Sequence, residues 1–186
     1  MVQRDPADKM SWYLLSNVLC RKQSYTQAIE AGQKAVQLTP NNAEAHFWLA
    51  ESLRMSKVWD RAKSEYDSYL RLSNFDSGAA GKLNYYVLGY LIGMGKKTRA
   101  SQQDIWKDLR SWAYFGLCNC EKMLARYDQA IADCQRSLSY DPQDPLTHFE
   151  LAFAYEHKGN QTGSREIFAA AREHFSICLL YTSPSP

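Results

Sequence analysis

A repeat of 34 residues is the feature that most constrains how this chain can fold. Leu15, Leu49, Leu117 and Leu151 follow one another at intervals of 34, 68 and 34 residues. The same intervals separate Ala28, Ala62, Ala130 and Ser164, and the same period relates Pro6, Pro40 and Pro142. A fixed period of this size is typical of a repeat protein, in which each unit buries its apolar face against its neighbours.

Each period has the pattern of two helices joined by a turn. In the first period, Trp12, Leu15 and Leu19 recur at helical spacing, residues 22–25 are mostly polar, and Ala28 restarts the apolar stripe. A proline follows the second helix and ends it, because proline lacks the N–H that continues the helical hydrogen bonds. We therefore predict a helix, a turn and a helix in each unit.

These positions resemble the tetratricopeptide repeat, a family of helical repeats that bind other proteins. The matching residues in the first two units are Trp12, Leu15, Ser16, Ala28, Ala35 and Pro40, then Leu49, Ala50, Ala62 and Tyr66. The resemblance implies an all-α fold, a right-handed superhelical α-solenoid of antiparallel helix pairs. It also implies a non-catalytic scaffold for a protein or peptide partner, with no cofactor.

We divide the chain by this register into a short leading segment, an array and a tail. Residues 1–8 are expected to close a preceding repeat or to form a linker. The array covers 9–177, in units 9–42, 43–76, 77–110, 111–144 and 145–177, of which 77–110 is degenerate. Its second helix is expected to start near Ser101 and to continue into the next unit. Residues 178–186 resemble a translated sequencing adapter, so the chain is expected to be a fragment.

The resemblance implies that the first helices of the units line a concave groove for the ligand. The aromatic residues expected in this groove are Tyr13, Phe47, Tyr86, Phe115 and Phe149, with Trp48, Tyr90 and Phe153 beside them. Asn17 and Asn119 could hold a peptide backbone. Alternatively, the column of rings packs between adjacent units, which leaves Trp48, Tyr90 and Phe153 as the stronger candidates for ligand contact.

Charge argues against nucleic acid and membrane partners. The net charge is +2 with a pI of about 8.2, which supplies no strong field for an anionic partner. The expected groove mixes cations with carboxylates, whereas RNA needs a continuous basic track. No apolar run is long enough to span a bilayer.

Only Asn17 matches the clamp with which one subclass of tetratricopeptide repeats binds a C-terminal carboxylate. The competing hypothesis is the repeat portion of a larger enzyme or regulator, such as a glycosyltransferase, a kinase or a transcription regulator.

The histidines and cysteines do not form a recognisable catalytic or metal site. His46 and His148 take the slot of a large aromatic residue and are predicted to pack, while His157 and His174 are predicted to be isolated, without a partner side chain. The five cysteines are Cys20, Cys118, Cys120, Cys134 and Cys178. They lack scaffold or zinc spacing, so we expect a reducing compartment and a cytoplasmic protein. Cys118, Cys120 and Cys134 are expected to be buried thiols. Cys118 and Cys134 occupy facing slots. The Asn160–Thr162 sequon is expected to lie in a repeat turn.

Overall fold

A computed structural model of the chain describes residues 9–73 and 102–182, with their side chains in 11–73 and 109–180. These residues form eight α-helices and no strand, which confirms the predicted all-α repeat fold. The helices are α1 (Lys9–Arg21), α2 (Tyr25–Leu38), α3 (Ala43–Met55), α4 (Trp59–Leu72), α5 (Gln102–Met123), α6 (Tyr127–Tyr140), α7 (Pro145–Thr162) and α8 (Arg165–Thr182).

The first compact unit comprises residues 1–109 and contains α1 to α4. Here α1 packs on α2, α3 packs on α4, and α3 also contacts α1 and α2. The approach of α2 to α3 is close at Gly32, where an added Cβ would lie 3.1 Å from the Cβ of Leu49 and 3.0 Å from Oγ of Ser16. A small residue is therefore required at this crossing.

The second compact unit comprises residues 110–186 and contains most of α5 together with α6, α7 and α8. Hydrogen bonds join α5 to α6, since Ser137 Oγ donates to the carbonyl of Ser111 at 2.8 Å. In turn, α7 packs against α6 and α8. The apolar core of this unit consists of Cys118, Ala130, Ile131, Cys134, Leu151 and Ala154.

The first helices of two hairpins, α3 and α7, each begin after a residue whose side chain caps the helix. Asn42 accepts a hydrogen bond from the Ala45 amide at 2.8 Å, and Asp144 accepts one from the Thr147 amide at 3.0 Å. These caps satisfy amides that have no partner within the helix. Pro145 follows Asp144 at the start of α7, where its missing N–H costs nothing. The two capped positions are 102 residues apart, which is three periods of 34.

The turn between paired helices uses a left-handed residue at one repeat slot. Gln23, Lys57 and Ala125 have φ of 60°, 62° and 58°, and one or two periods separate them. In the last hairpin the period predicts a turn at position 159, but the left-handed residue is Gly163, with φ of 69°. Because α7 extends through Thr162, the prediction that the Asn160–Thr162 sequon lies in the turn is wrong.

The helix bounds can be compared with the expected units. The pairs α1 and α2, and α3 and α4, fall within 9–42 and 43–76. Helix α5 begins at Gln102 and continues past position 110, as expected of the degenerate unit. Helix α8 runs to Thr182 and so includes the first residues of the 178–186 segment. Residues 1–8 and most of 77–110 lie outside the described part, and the unit boundaries stay predictions.

Candidate binding site

The aromatic residues expected to face a ligand in the first unit are buried in its core. Tyr13, Phe47 and Trp48 are 4%, 2% and 3% exposed. The ring of Phe47 makes edge contacts with Trp48 at 5.0 Å and with Tyr69 at 5.2 Å between centroids. The Phe47 ring therefore helps to pack α3 against α4. The burial of the three rings favours the packing alternative, and ligand contact by these rings stays a prediction.

Asn17 on α1 is buried as well. Asn17 is 8% exposed, and its side-chain oxygen Oδ1 has no hydrogen-bond partner among the described residues. A buried acceptor without a donor costs about 1–3 kcal/mol. Asn17 could therefore accept a hydrogen bond, but only from a group that reaches it beneath the surface. Tyr86 and Tyr90, the next two predicted site residues, lie outside the described part of the chain.

Charged side chains near α3 neutralise one another inside the first unit. Glu51 is 5% exposed and accepts a hydrogen bond from Nη2 of Arg54 at 2.9 Å and another from the Tyr66 hydroxyl. Burial, followed by the nearby Glu51 carboxylate, raises the pKa of the Cys20 thiol to about 11. Cys20 is therefore a poor nucleophile at neutral pH, since the thiolate is the reactive form.

The second unit brings two of the predicted rings together at its surface. Phe149 is 41% exposed, and its ring lies 4.8 Å from the half-buried Phe153. The ring of Phe175 on α8 lies 5.3 Å from Phe153 and 6.1 Å from Phe149. We call Phe149, Phe153 and Phe175 the aromatic patch. Of the other candidates in this unit, Phe115 is 9% exposed and Asn119 is half-buried.

One ion pair lies beside the aromatic patch. Lys122 on α5 forms a salt bridge with Glu150 on α7, and both side chains are 15% exposed. The Lys122 ammonium also lies 5.5 Å from the centre of the Phe153 ring, within the range of a cation–π contact. The cation is held by a carboxylate and a ring together, so this end of α7 offers an apolar surface rather than a free charge.

Phe175 was not among the residues predicted for the site. The groove was predicted on the first helix of each unit, whereas Phe175 lies on α8, the second helix of its hairpin. The later turn of this hairpin at Gly163 had a sequence signal of its own, since glycine just after an apolar helix is typical of a helix C-terminus.

The two histidines at the aromatic slot each make an equivalent hydrogen bond through Nε2 and a different contact through Nδ1. Nε2 of His46 and of His148 lies 2.9 Å and 3.1 Å from a proline carbonyl, so each Nε2 donates. Nδ1 of His46 lies 2.6 Å from a carboxylate oxygen of Glu65, whereas Nδ1 of His148 lies 2.9 Å from Nδ1 of His174. The packing role predicted for His46 and His148 fits these contacts.

The surroundings of His46 and His174 move the pKa values of these two side chains in opposite directions. The hydrogen bond to Glu65 raises the pKa of His46 despite the opposing effect of burial. Burial first, and then His148, lower the pKa of His174. The prediction that His174 is isolated is therefore wrong. It is also wrong for His157, which stacks on Tyr127 with 5.3 Å between ring centres.

Cys118 and Cys134 form a disulfide between α5 and α6, with 5.2 Å between their Cα atoms. The facing slots were correctly predicted, but the expectation of two reduced thiols is wrong because the sulfur atoms meet across the helix pair. Cys20, Cys120 and Cys178 take no part in a disulfide. Disulfides persist mainly in oxidising compartments, so this bond gives no support to the cytoplasmic location, which stays a prediction.

Neither a metal-binding cluster nor a membrane-spanning helix occurs in the part of the chain that the structure describes. Across residues 9–73 and 102–182, no group of three or more His, Cys, Asp or Glu side chains could hold a metal ion. Within the same ranges, each helix is too short or too polar to cross a bilayer.

Comparisons with known proteins agree with the repeat pattern. A family model described as TPR repeat matches residues 17–54, and one described as tetratricopeptide repeat matches residues 124–175. No curated protein matches the chain. A crystal structure of MamA aligns over 96% of this chain and 81% of its own, with 18% identity and a TM-score of 0.68, and shows the fold.

Two further solved structures align with lower scores. PilF of Pseudomonas aeruginosa covers 98% of this chain and 80% of its own, with 20% identity and a TM-score of 0.40. YrrB, a TPR protein with an unusual peptide-binding site, covers 97% and 94%, with 16% identity and a TM-score of 0.38.

Proposed function

Since this chain is a tetratricopeptide-repeat protein, we propose that it is a non-catalytic scaffold that binds a peptide or a helix of a partner protein. The proposed contact surface lies mainly on the first helices of its hairpins. In the second unit it centres on the aromatic patch, to which α8 contributes Phe175. Tyr13, Asn17, Phe47 and Trp48 form the corresponding region of the first unit, mainly as packed support.

The exposure of Phe149 is the observation that carries this proposal. A large ring that is 41% exposed, with two more rings behind it, offers apolar area that no described residue covers. Aromatic side chains with this placement are enriched among residues that dominate binding energy. The rings also move little, because each contacts two others, so binding costs little side-chain entropy.

The charges beside the aromatic patch support a protein partner over a nucleic acid. Lys122 is held by Glu150 and by the Phe153 ring, so it is not available to a phosphate without breaking the salt bridge. A peptide needs no such charge, because its backbone can bind polar groups such as the Asn119 amide. RNA would instead require several unpaired cations along the stacked bases.

A binding measurement on one ring tests the proposal. Peptides selected from a random library on the full chain should lose roughly tenfold or more in affinity for Phe149→Ala, as measured by fluorescence anisotropy. Helical content should be unchanged, because Phe149 is exposed. Met55→Ala is the matched control, since Met55 is also 41% exposed but lies at the end of α3. Equal affinity of these peptides for Phe149→Ala and the unmodified chain would overturn the proposal.

A further inference from the structure

One face of α8 is left open. Among its residues 165–180, whose side chains are described, Ala171 alone is buried. By comparison, α2 in the first unit buries four residues against its neighbours. Helix α8 packs against α7 and leaves much of its surface accessible to a partner.

A cavity of about 400 Å³ lies between this face and α7. The half-buried rings of Phe168 and Phe175 and the methyl group of Ala171 supply its apolar lining. Gly159 of α7 lies against the Phe168 ring, where an added Cβ would approach a ring carbon to 3.0 Å. The cavity is large enough for an apolar side chain, since ligand pockets start at about 300 Å³.

Two arginines line the same cavity. Arg165 and Arg172 are exposed and seven residues apart, which is two turns or about 10.5 Å along α8. Neither forms a salt bridge within the described ranges, although Lys122 and Arg54 do. Glu156 of α7 contributes the one carboxylate of the lining, and no salt bridge joins it to either arginine in the described part.

We propose that this surface, the α8 cavity with Arg165 and Arg172, binds an acidic amphipathic helix of a partner protein. An apolar side chain of that helix fills the cavity, and two carboxylates seven residues apart bind the two guanidinium groups. Charge complementarity supports this occupant, because guanidinium groups bind carboxylates through paired hydrogen bonds. A helix also presents positions i and i+7 on one face at the spacing of the arginines.

Charge disfavours a second copy of the chain docking through α1. Val18 of α1 is 49% exposed and could reach an apolar cavity. However, α1 contains Lys9 and Arg21 and no acidic residue, so it would bring positive charge toward Arg165 and Arg172. The proposed surface shares Phe175 with the aromatic patch but does not include Phe149, so Phe149→Ala tests the patch and Arg172→Glu tests the α8 surface.

The test uses the full chain and a designed peptide. The probe is a fluorescein-labelled, alanine-rich helix with Glu at positions i and i+7 and Leu at i+3 and i+4, compared with the same peptide carrying Gln. We expect the Glu peptide to bind more tightly by anisotropy, and Arg172→Glu to weaken it roughly tenfold. Arg61→Glu on α4, an exposed site with the same change of charge, should leave the affinity unchanged.

A charge exchange guards against a folding artefact. The double variant Arg165→Glu and Arg172→Glu should bind the peptide that carries Lys in place of Glu, which requires a folded cavity. Phe149→Ala should not alter binding of the Glu peptide. Equal affinity for the Glu and Gln peptides, or equal loss in Arg172→Glu and Arg61→Glu, would overturn the proposal. Dimerisation that depends on Arg172, detected by light scattering, would assign the surface to a second copy instead.

Discussion

Removal of the Cys118–Cys134 disulfide should reduce the unfolding free energy of the second unit by about 3 kcal/mol. The bond joins residues 16 apart in sequence. A closed loop of this length removes about 10 cal/mol/K of entropy from the unfolded chain, which is about 3 kcal/mol at 25 °C. Both cysteines are 0% exposed, so the reduced thiols keep their packing and most of the loss arises in the unfolded state.

Hydrogen exchange followed by mass spectrometry can locate this effect. The chain is unfolded, reduced, refolded with reductant present, and compared with the oxidised chain. We expect amide protection in α6 to fall by roughly 100-fold if exchange there requires unfolding of the unit. Helix α2 lies in the first unit, and its protection should not change, so it serves as the internal control.

Thiol counting gives the result that would refute the reasoning. Alkylation of the unfolded, unreduced chain should label Cys20, Cys120 and Cys178 only. Labelling of all five cysteines would show that the disulfide does not form. Three labelled cysteines together with unchanged protection of α6 would show that the bond forms without restricting the unfolded state, which contradicts the estimate.

Two further predictions concern buried contacts between helices. His46 and His174 should respond oppositely to pH in thermal unfolding: stability from the His46–Glu65 pair is complete below the unfolded pKa near 6.5 and is lost as pH rises through the raised folded pKa. The stability that depends on neutral His174 is complete above pH 6.5 and is lost as the pH falls toward its lowered pKa. His46→Gln should abolish the loss of stability at rising pH, and His174→Gln should abolish the loss at falling pH. Unchanged pH dependence in these variants would contradict the assigned contacts. Gly32→Ala should destabilise by about 1 kcal/mol in urea, because overpacking against Leu49 exceeds the gain in helix propensity; a stabilised variant would contradict it.

Helix pairs were predictable because local signals repeat. Asn42 caps α3 and Asp144 caps α7 at equivalent slots, and the leucine and alanine columns mark the buried sides. These signals depend on residues within a few positions of each other, so a single sequence suffices to find them. The last hairpin departed from the period because one helix gained an extra turn, which a fixed interval cannot represent.

Burial of the aromatic rings within the first unit was not predictable in the same way. Phe47 and Trp48 are adjacent, and a helical periodicity assigns them to different directions, yet both are buried. Neighbouring helices cover both sides of α3 on which these two rings lie, and no local sequence pattern specifies where those helices pack. Likewise, facing slots predicted that Cys118 and Cys134 would lie close, but bond formation depends on how closely α5 and α6 approach.

The turn slot occupied by Gln23, Lys57 and Ala125 bears on the order in which the hairpins fold. A left-handed backbone is unfavourable for each of these residues, by about 1–2 kcal/mol, and their side chains share no chemistry. The conformational preference of the turn residue therefore does not cause the chain to reverse direction between the two helices. The strain is accepted only once the two flanking helices have docked, so each turn closes late, as a result of helix docking. Different residue types can therefore occupy this turn position. Peptides that contain one hairpin without its neighbours should not keep the left-handed turn.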